Sequence, residues 1–121
     1  MKQFSQRQLQ FAENIKRILS ELFLKEDVFL VNERKTVNIT ITEVQVTPDL
    51  KEATVFFYTL NAPANNQNYI KSVLTAIEGI KLDLRKKLGN KLSSKFLPHI
   101  KFVWDDALEK AIKINEAIKK G

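Results

Sequence analysis

Apolar and polar positions along this 121-residue chain change period several times, and each change marks an element. From Ser5 to Lys25, Phe11, Ala12, Ile15, Ile18, Leu19, Leu22 and Phe23 recur at spacings of three and four, which predicts an amphipathic helix. Arg7, Glu13, Asn14, Lys16, Arg17 and Glu21 fall mostly on the other side, and Ser5 stands where an N-cap belongs. Glu26 to Lys35 has no clear period and reads as a connection. From Thr36 the period becomes two. Val37, Ile39 and Ile41 alternate with polar residues, as in a half-buried strand. The alternation then slips, because Val44 and Val46 take the apolar role on the opposite parity, and a one-residue bulge near Glu43 would restore the facing. Thr47 to Leu50 (TPDL) carries turn chemistry. Ala53 to Leu60 (ATVFFYTL) is apolar on both faces and reads as a central strand, paired with the first in a hairpin.

Asn61 to Asn68 (NAPANNQN) is uncharged and amide-rich, a surface loop. Helical spacing resumes with Ile70, Val73, Ile77, Ile80, Leu84 and Leu88 on one stripe. In a straight helix Lys91 would share the azimuth of Val73, so a bend or restart is expected between them, with Gly79 as the kink. Pro98 precedes a short strand, Ile100 to Trp104. Asp106 with Glu109 then makes a capping-box pattern, and Ala107 to Lys120 reads as a last amphipathic helix. A helical crossover returns the third strand parallel to the second. The expected fold is α+β, in the order α-β-β-α-α-β-α: a three-stranded mixed sheet with helices on one face.

Length makes residues 1–121 one domain with a core of its own. Apolar residues at 44% and charged residues at 28% give a globular profile. No apolar run approaches the ~20 residues of a spanning helix, and the N-terminal stretch lacks a signal peptide's apolar region. There is no cysteine, which removes disulfides, thiolate metal sites and a cysteine nucleophile, and favours a reducing cytoplasm. Charge changes the picture most. Ile80 to Lys101 holds seven basic residues and one acid, Asp83, a net +6 that equals the net charge of the whole chain. The remainder is balanced. A pI near 9.6 makes polyanions the natural partners.

The order α-β-β-α-α-β is that of a type II KH domain, a nucleic-acid-binding fold that usually clamps the backbone with a GxxG loop. Glycines stand only at 79, 89 and 121, so that clamp is absent here. Three stretches resemble one KH-like family that lacks it, ribosome-binding factor A (RbfA). QRQLQFAENIKRIL resembles the family's opening helix. ITEVQVTPDLKEATVFF supplies Val44, Val46, Thr47, Asp49, Leu50, Ala53 and Val55 in the family's strand–turn–strand pattern. RKKLGNKLSSKFLPHIKFVWDDALEKAIKI supplies Arg85, Leu88, Gly89, Pro98, Ile100, Phe102 and Asp105. The family's Ala-x-Gly kink falls in this register on Ile80 to Leu82 and is not matched, which leaves Gly79 as the nearest equivalent. The resemblance implies a non-enzymatic, monomeric bacterial assembly factor. It would associate with the free 30S ribosomal subunit, assist processing of 16S rRNA, matter most in the cold and be released by a GTPase.

From the residues themselves, the candidate RNA contacts are Lys81, Arg85, Lys86, Lys87, Lys91 and Lys95, with Arg7 and Arg17 on the first helix. A run of lysines with so few acids repels itself, whereas a solvated stabilising face mixes signs. Phosphate contact is the chemistry it fits. His99 has no neighbouring ligand set and reads as a structural or surface residue; Asp105 and Asp106 read as a helix cap, and Trp104 with Phe56, Phe57 and Tyr58 as core. No nucleophile, base and electrostatic stabiliser can be assembled, so no catalytic residues, metal site or cofactor is expected. Two other readings share the basic segment: a non-selective RNA chaperone and a protein–protein adaptor with an acidic partner.

Overall fold

The computed structural model describes residues 3–24, 31–32, 35–59, 67–92 and 97–106. Helix α1 spans Gln6–Leu24 and starts on a reciprocal cap. Ser5 Oγ accepts the Gln8 backbone N–H at 3.1 Å, and Gln8 Oε1 accepts the Ser5 N–H at 2.9 Å. The buried Gln8 amide also donates to the Val46 carbonyl at 2.9 Å, which pins the helix start to the sheet. Ala12, Ile15, Ile18, Leu19 and Leu22 are buried, on the face that the spacing predicts.

Two short strands follow, β1 (Val31–Asn32) and β2 (Lys35–Thr36), paired antiparallel. They lie mostly within the stretch whose sequence reads as a connection, since two-residue strands are too short to show an alternation. The main sheet has β3 (Ile39–Val46), β4 (Glu52–Thr59) and β5 (His99–Trp104), in that spatial order. β3 and β4 are antiparallel and β4 and β5 parallel, as the crossover argument expects.

The expected bulge is present. Ile41 pairs with Phe57 and Glu43 with Phe56, which leaves Thr42 as the extra residue. Ile41, Val44 and Val46 therefore all face inward, in rows with Phe57, Val55 and Ala53 and then with Trp104, Phe102 and Ile100. The Thr42 hydroxyl donates to the Asp105 carboxylate and lies 3.3 Å from the Phe56 carbonyl, so the bulge is fastened to the end of β5.

The turn from Thr47 to Leu50 closes with the Leu50 N–H on the Thr47 carbonyl at 2.8 Å. Asp49 accepts the Thr47 hydroxyl at 2.6 Å and the Lys51 N–H at 3.0 Å, and these two bonds hold its carboxyl below the usual carboxylate range. Leu50 sits at φ 61°, a left-handed conformation that favours glycine, while its side chain packs against the core.

Helix α2 spans Gln67–Lys91 as one unbroken helix. This corrects the expected restart: the backbone stays helical through Gly79, which ends nothing and begins nothing. The conflict at Lys91 resolves by rotation. Residues buried late in α2 are Leu84 and Leu88, followed by Leu92, and their azimuths move up to about 100° around the axis from Val73. Lys91, in the last turn, is thereby exposed.

Val73, Ile77, Leu84 and Leu88 of α2 meet Ile15, Leu19 and Leu22 of α1 over Val55 and Phe57 of β4 in one core. The Trp104 ring lies edge-on to Phe57 at 5.5 Å and to Tyr69 at 6.3 Å. Each such large apolar side chain contributes roughly 1.5–3 kcal/mol by leaving water. The result is the α+β fold expected from the sequence. Lys95, the loop residues 61–66 and the terminal helix expected over 107–120 lie outside the described residues, although Asp106 is already helical.

Candidate nucleic-acid interface

The outward side of α2 carries most of the excess charge, but its cations are not equivalent. At 100° per residue, Lys81 and Arg85 sit side by side, Lys87 and Lys91 form a second pair, and Lys86 stands apart. They wrap the helix rather than line one stripe. Lys81 Nζ lies 3.5 Å from Glu78 Oε1 and Lys87 Nζ 3.2 Å from Asp83 Oδ2. Glu78 falls two residues before the basic segment as the sequence bounds it, so that boundary concealed one acidic neighbour. Both pairs are on the surface, where each is worth about 0–1 kcal/mol and is easily exchanged for another anion. Lys86 and Lys91 are exposed, with no ion pair among the described residues.

Arg85 has a second role. Its Nη2 donates to the Leu97 carbonyl at 3.3 Å, which ties α2 to the segment leading into β5. Its Nε is buried and has no hydrogen-bond partner among the described residues. On α1, Arg7 is exposed, and Arg17 Nη1 lies 3.7 Å from Glu21 Oε1, one turn on. Arg7 and Arg17 point about 80° apart around α1, so the two do not form one patch.

A cleft of about 220 Å³ opens where α2 meets the start of β5, lined by Glu78, Lys81, Leu82, Arg85, His99 and Ile100. It brings two of the expected RNA contacts, Lys81 and Arg85, beside a histidine expected only as a structural or surface residue. His99 and Arg85 are far apart in sequence, and only the parallel docking of β5 makes them neighbours. Leu82 is 85% exposed. A helical wheel carries that signal, since Leu82 lies opposite Val73, but the apolar stripe alone does not.

Among the described residues no group of three His, Cys, Asp or Glu could hold a metal ion, and no described helix is long and apolar enough to cross a membrane.

The sequence matches the family described as Ribosome-binding factor A over residues 7–118. A Rickettsia prowazekii ribosome-binding factor A is 33% identical over 115 residues, covering 95% of this chain and 86% of that protein. The crystal structure of the Thermus thermophilus ribosome-binding factor A superposes with a TM-score of 0.59 at 16% identity, over 79% of this chain and 93% of that one. A Thermus thermophilus RbfA homology model, fitted into a cryo-EM map of a 30S–RbfA complex, gives 0.57 at 16% identity, over 75% and 87%. These two structural likenesses speak to the fold.

Proposed function

The chain belongs to the ribosome-binding factor A family, and from that premise we propose that it is a non-enzymatic RNA-binding assembly factor of the small ribosomal subunit. It docks on the free 30S subunit through the outward face of α2 and assists maturation of 16S rRNA. The observation that carries the RNA-facing part is the exposure of Lys86 and Lys91 without acidic partners among the described residues, on the one segment that holds the chain's net charge. Phosphate contacts position a protein without reading sequence, so selectivity comes from the shape of folded rRNA. With no fuel of its own, the factor acts by binding one rRNA arrangement better than another. It can shift that population but cannot drive a cycle, which is consistent with release by a separate GTPase.

Sedimentation of the purified protein with separated small subunits and intact ribosomes, at two salt concentrations, tests this. Retention on free small subunits alone is expected, with log affinity falling by roughly 0.7–0.9 per phosphate contact for each unit of log salt. Lys86→Glu with Lys91→Glu should weaken retention further. Equal retention on both fractions would indicate non-selective RNA binding. Retention that survives nuclease treatment would indicate a protein partner. No retention at low salt would overturn the ribosomal reading.

A further inference from the structure

We propose that the cleft between α2 and β5 seats one phosphodiester of an RNA strand, with Leu82 as an apolar lip against the adjoining ribose. This rests on the RNA-binding reading and narrows it from a charged helix face to a built site.

Size comes first. At about 220 Å³ the cleft is smaller than the ~300–1,000 Å³ of pockets that enclose a whole small molecule. It suits a fragment of a longer chain. Its chemistry follows from the lining, in which Lys81 and Arg85 come from one helix and His99 from the first position of a neighbouring strand. The His99 backbone N–H is fixed on the Lys51 carbonyl at 2.9 Å, so the root of that side chain is held in place.

Arg85 supplies the most specific argument. The bond to the Leu97 carbonyl restrains its guanidinium, while its buried Nε lacks an acceptor among the described residues. Arg85 lines the cleft, and a guanidinium fork matches a phosphate oxygen well. Glu78 also lines the cleft and holds Lys81 at 3.5 Å in the free protein. An entering phosphate competes for that lysine, so Glu78→Gln should tighten binding. A single exposed leucine is ordinary on a protein surface. One that is 85% exposed on the rim of a cationic cleft offers apolar contact where a sugar would lie.

The test uses the full ¹⁵N-labelled chain and follows the Arg85 Nε–H and the Lys86 and Lys91 amides by NMR. It is titrated with a single-stranded RNA oligonucleotide and, separately, with inorganic phosphate at matched phosphate concentration. The RNA is expected to move the Arg85 Nε–H at concentrations where inorganic phosphate moves it little. Leu82→Ala and His99→Gln, both at exposed positions, should each weaken the RNA titration by roughly threefold to tenfold. If RNA shifts Lys86 and Lys91 but not Arg85, the cleft proposal falls and the broader RNA reading stands. If phosphate and RNA act equally, the cleft is a general anion site, and the RNA subsite is overturned. If nothing moves, the cleft proposal fails, and the sedimentation experiment reports separately on ribosomal binding.

Discussion

Replacing Gly79 with alanine separates an ordinary helical glycine from a kink. Gly79 is exposed, lies in the interior of α2 and has no positive φ. A Cβ built on it meets no heavy atom within 4 Å. The substitution therefore adds no clash and gains no packing, and what remains is the intrinsic helix preference. In a helix interior glycine is about 0.8–1.0 kcal/mol less favourable than alanine. Gly79→Ala should stabilise the protein by about that amount, which for a domain of this size raises Tm by about 3–5 °C. Urea titration followed by circular dichroism measures it, with an unchanged m-value as the check that only the midpoint has moved. Because Gly79 does not line the cleft, RNA affinity should stay within about twofold, well below the effect of a lost charge-assisted contact. A destabilised variant would refute the reasoning, since it would mean that the backbone there needs glycine. Greater stability with weakened binding would locate the need for glycine in the bound conformation instead.

Four further outcomes follow from the same geometry. Gln8→Ala strips the Val46 carbonyl and the Ser5 N–H of their partner, and should cost about 1–3 kcal/mol in denaturant unfolding. Ser5→Ala should cost about 1 kcal/mol, and the double variant less than the sum, because both residues belong to one cap. At the left-handed Leu50, neither Gly nor Ala can replace the leucine's packing, but only Ala retains the strain, so Leu50→Gly should be more stable than Leu50→Ala by about 1 kcal/mol. Asp49, with its carboxyl held low by Thr47 and Lys51, adds stability that is fully present above the unfolded carboxylate pKa of about 3.9 and is lost as pH falls through the lower folded value. Asp49→Asn should therefore lower stability at neutral pH and change it little below the folded pKa, so that the acid limb is flattened.

What could be read from the sequence was whatever rests on short-range pattern. The slip at Glu43 announced the bulge because a one-residue shift turns every later side chain to the wrong face, and the real strand inserts Thr42 at that point. Ser5 and the α1 stripe were equally legible, as was the parallel return of β5. The single helix α2 was not. A wheel assumes a core on one azimuth, whereas α2 crosses its core at an angle and presents Val73 early and Leu88 late. The candidate interface divides the same way. Local charge density pointed to Lys86 and Lys91, which are exposed, but Arg85's bond to Leu97 and its meeting with His99 are tertiary facts. Glu78 was visible in the sequence yet fell outside a boundary drawn by charge alone.

The strand that closes this cleft is also the one whose pairing spans the longest stretch of chain. β3 and β4 join through a tight turn, so their ladder closes a short loop, whereas β5 pairs with β4 across residues 60–98, a far longer closure. A newly synthesised chain that has formed the hairpin and α2 still has only one wall of the cleft. Trp104, the sole tryptophan, sits at the far end of β5 against Phe57 and reports on that docking by its own fluorescence. In a refolding experiment, RNA binding through the cleft should arise no earlier than the tryptophan signal. The parallel strand thus ties completion of the proposed cleft to completion of the sheet.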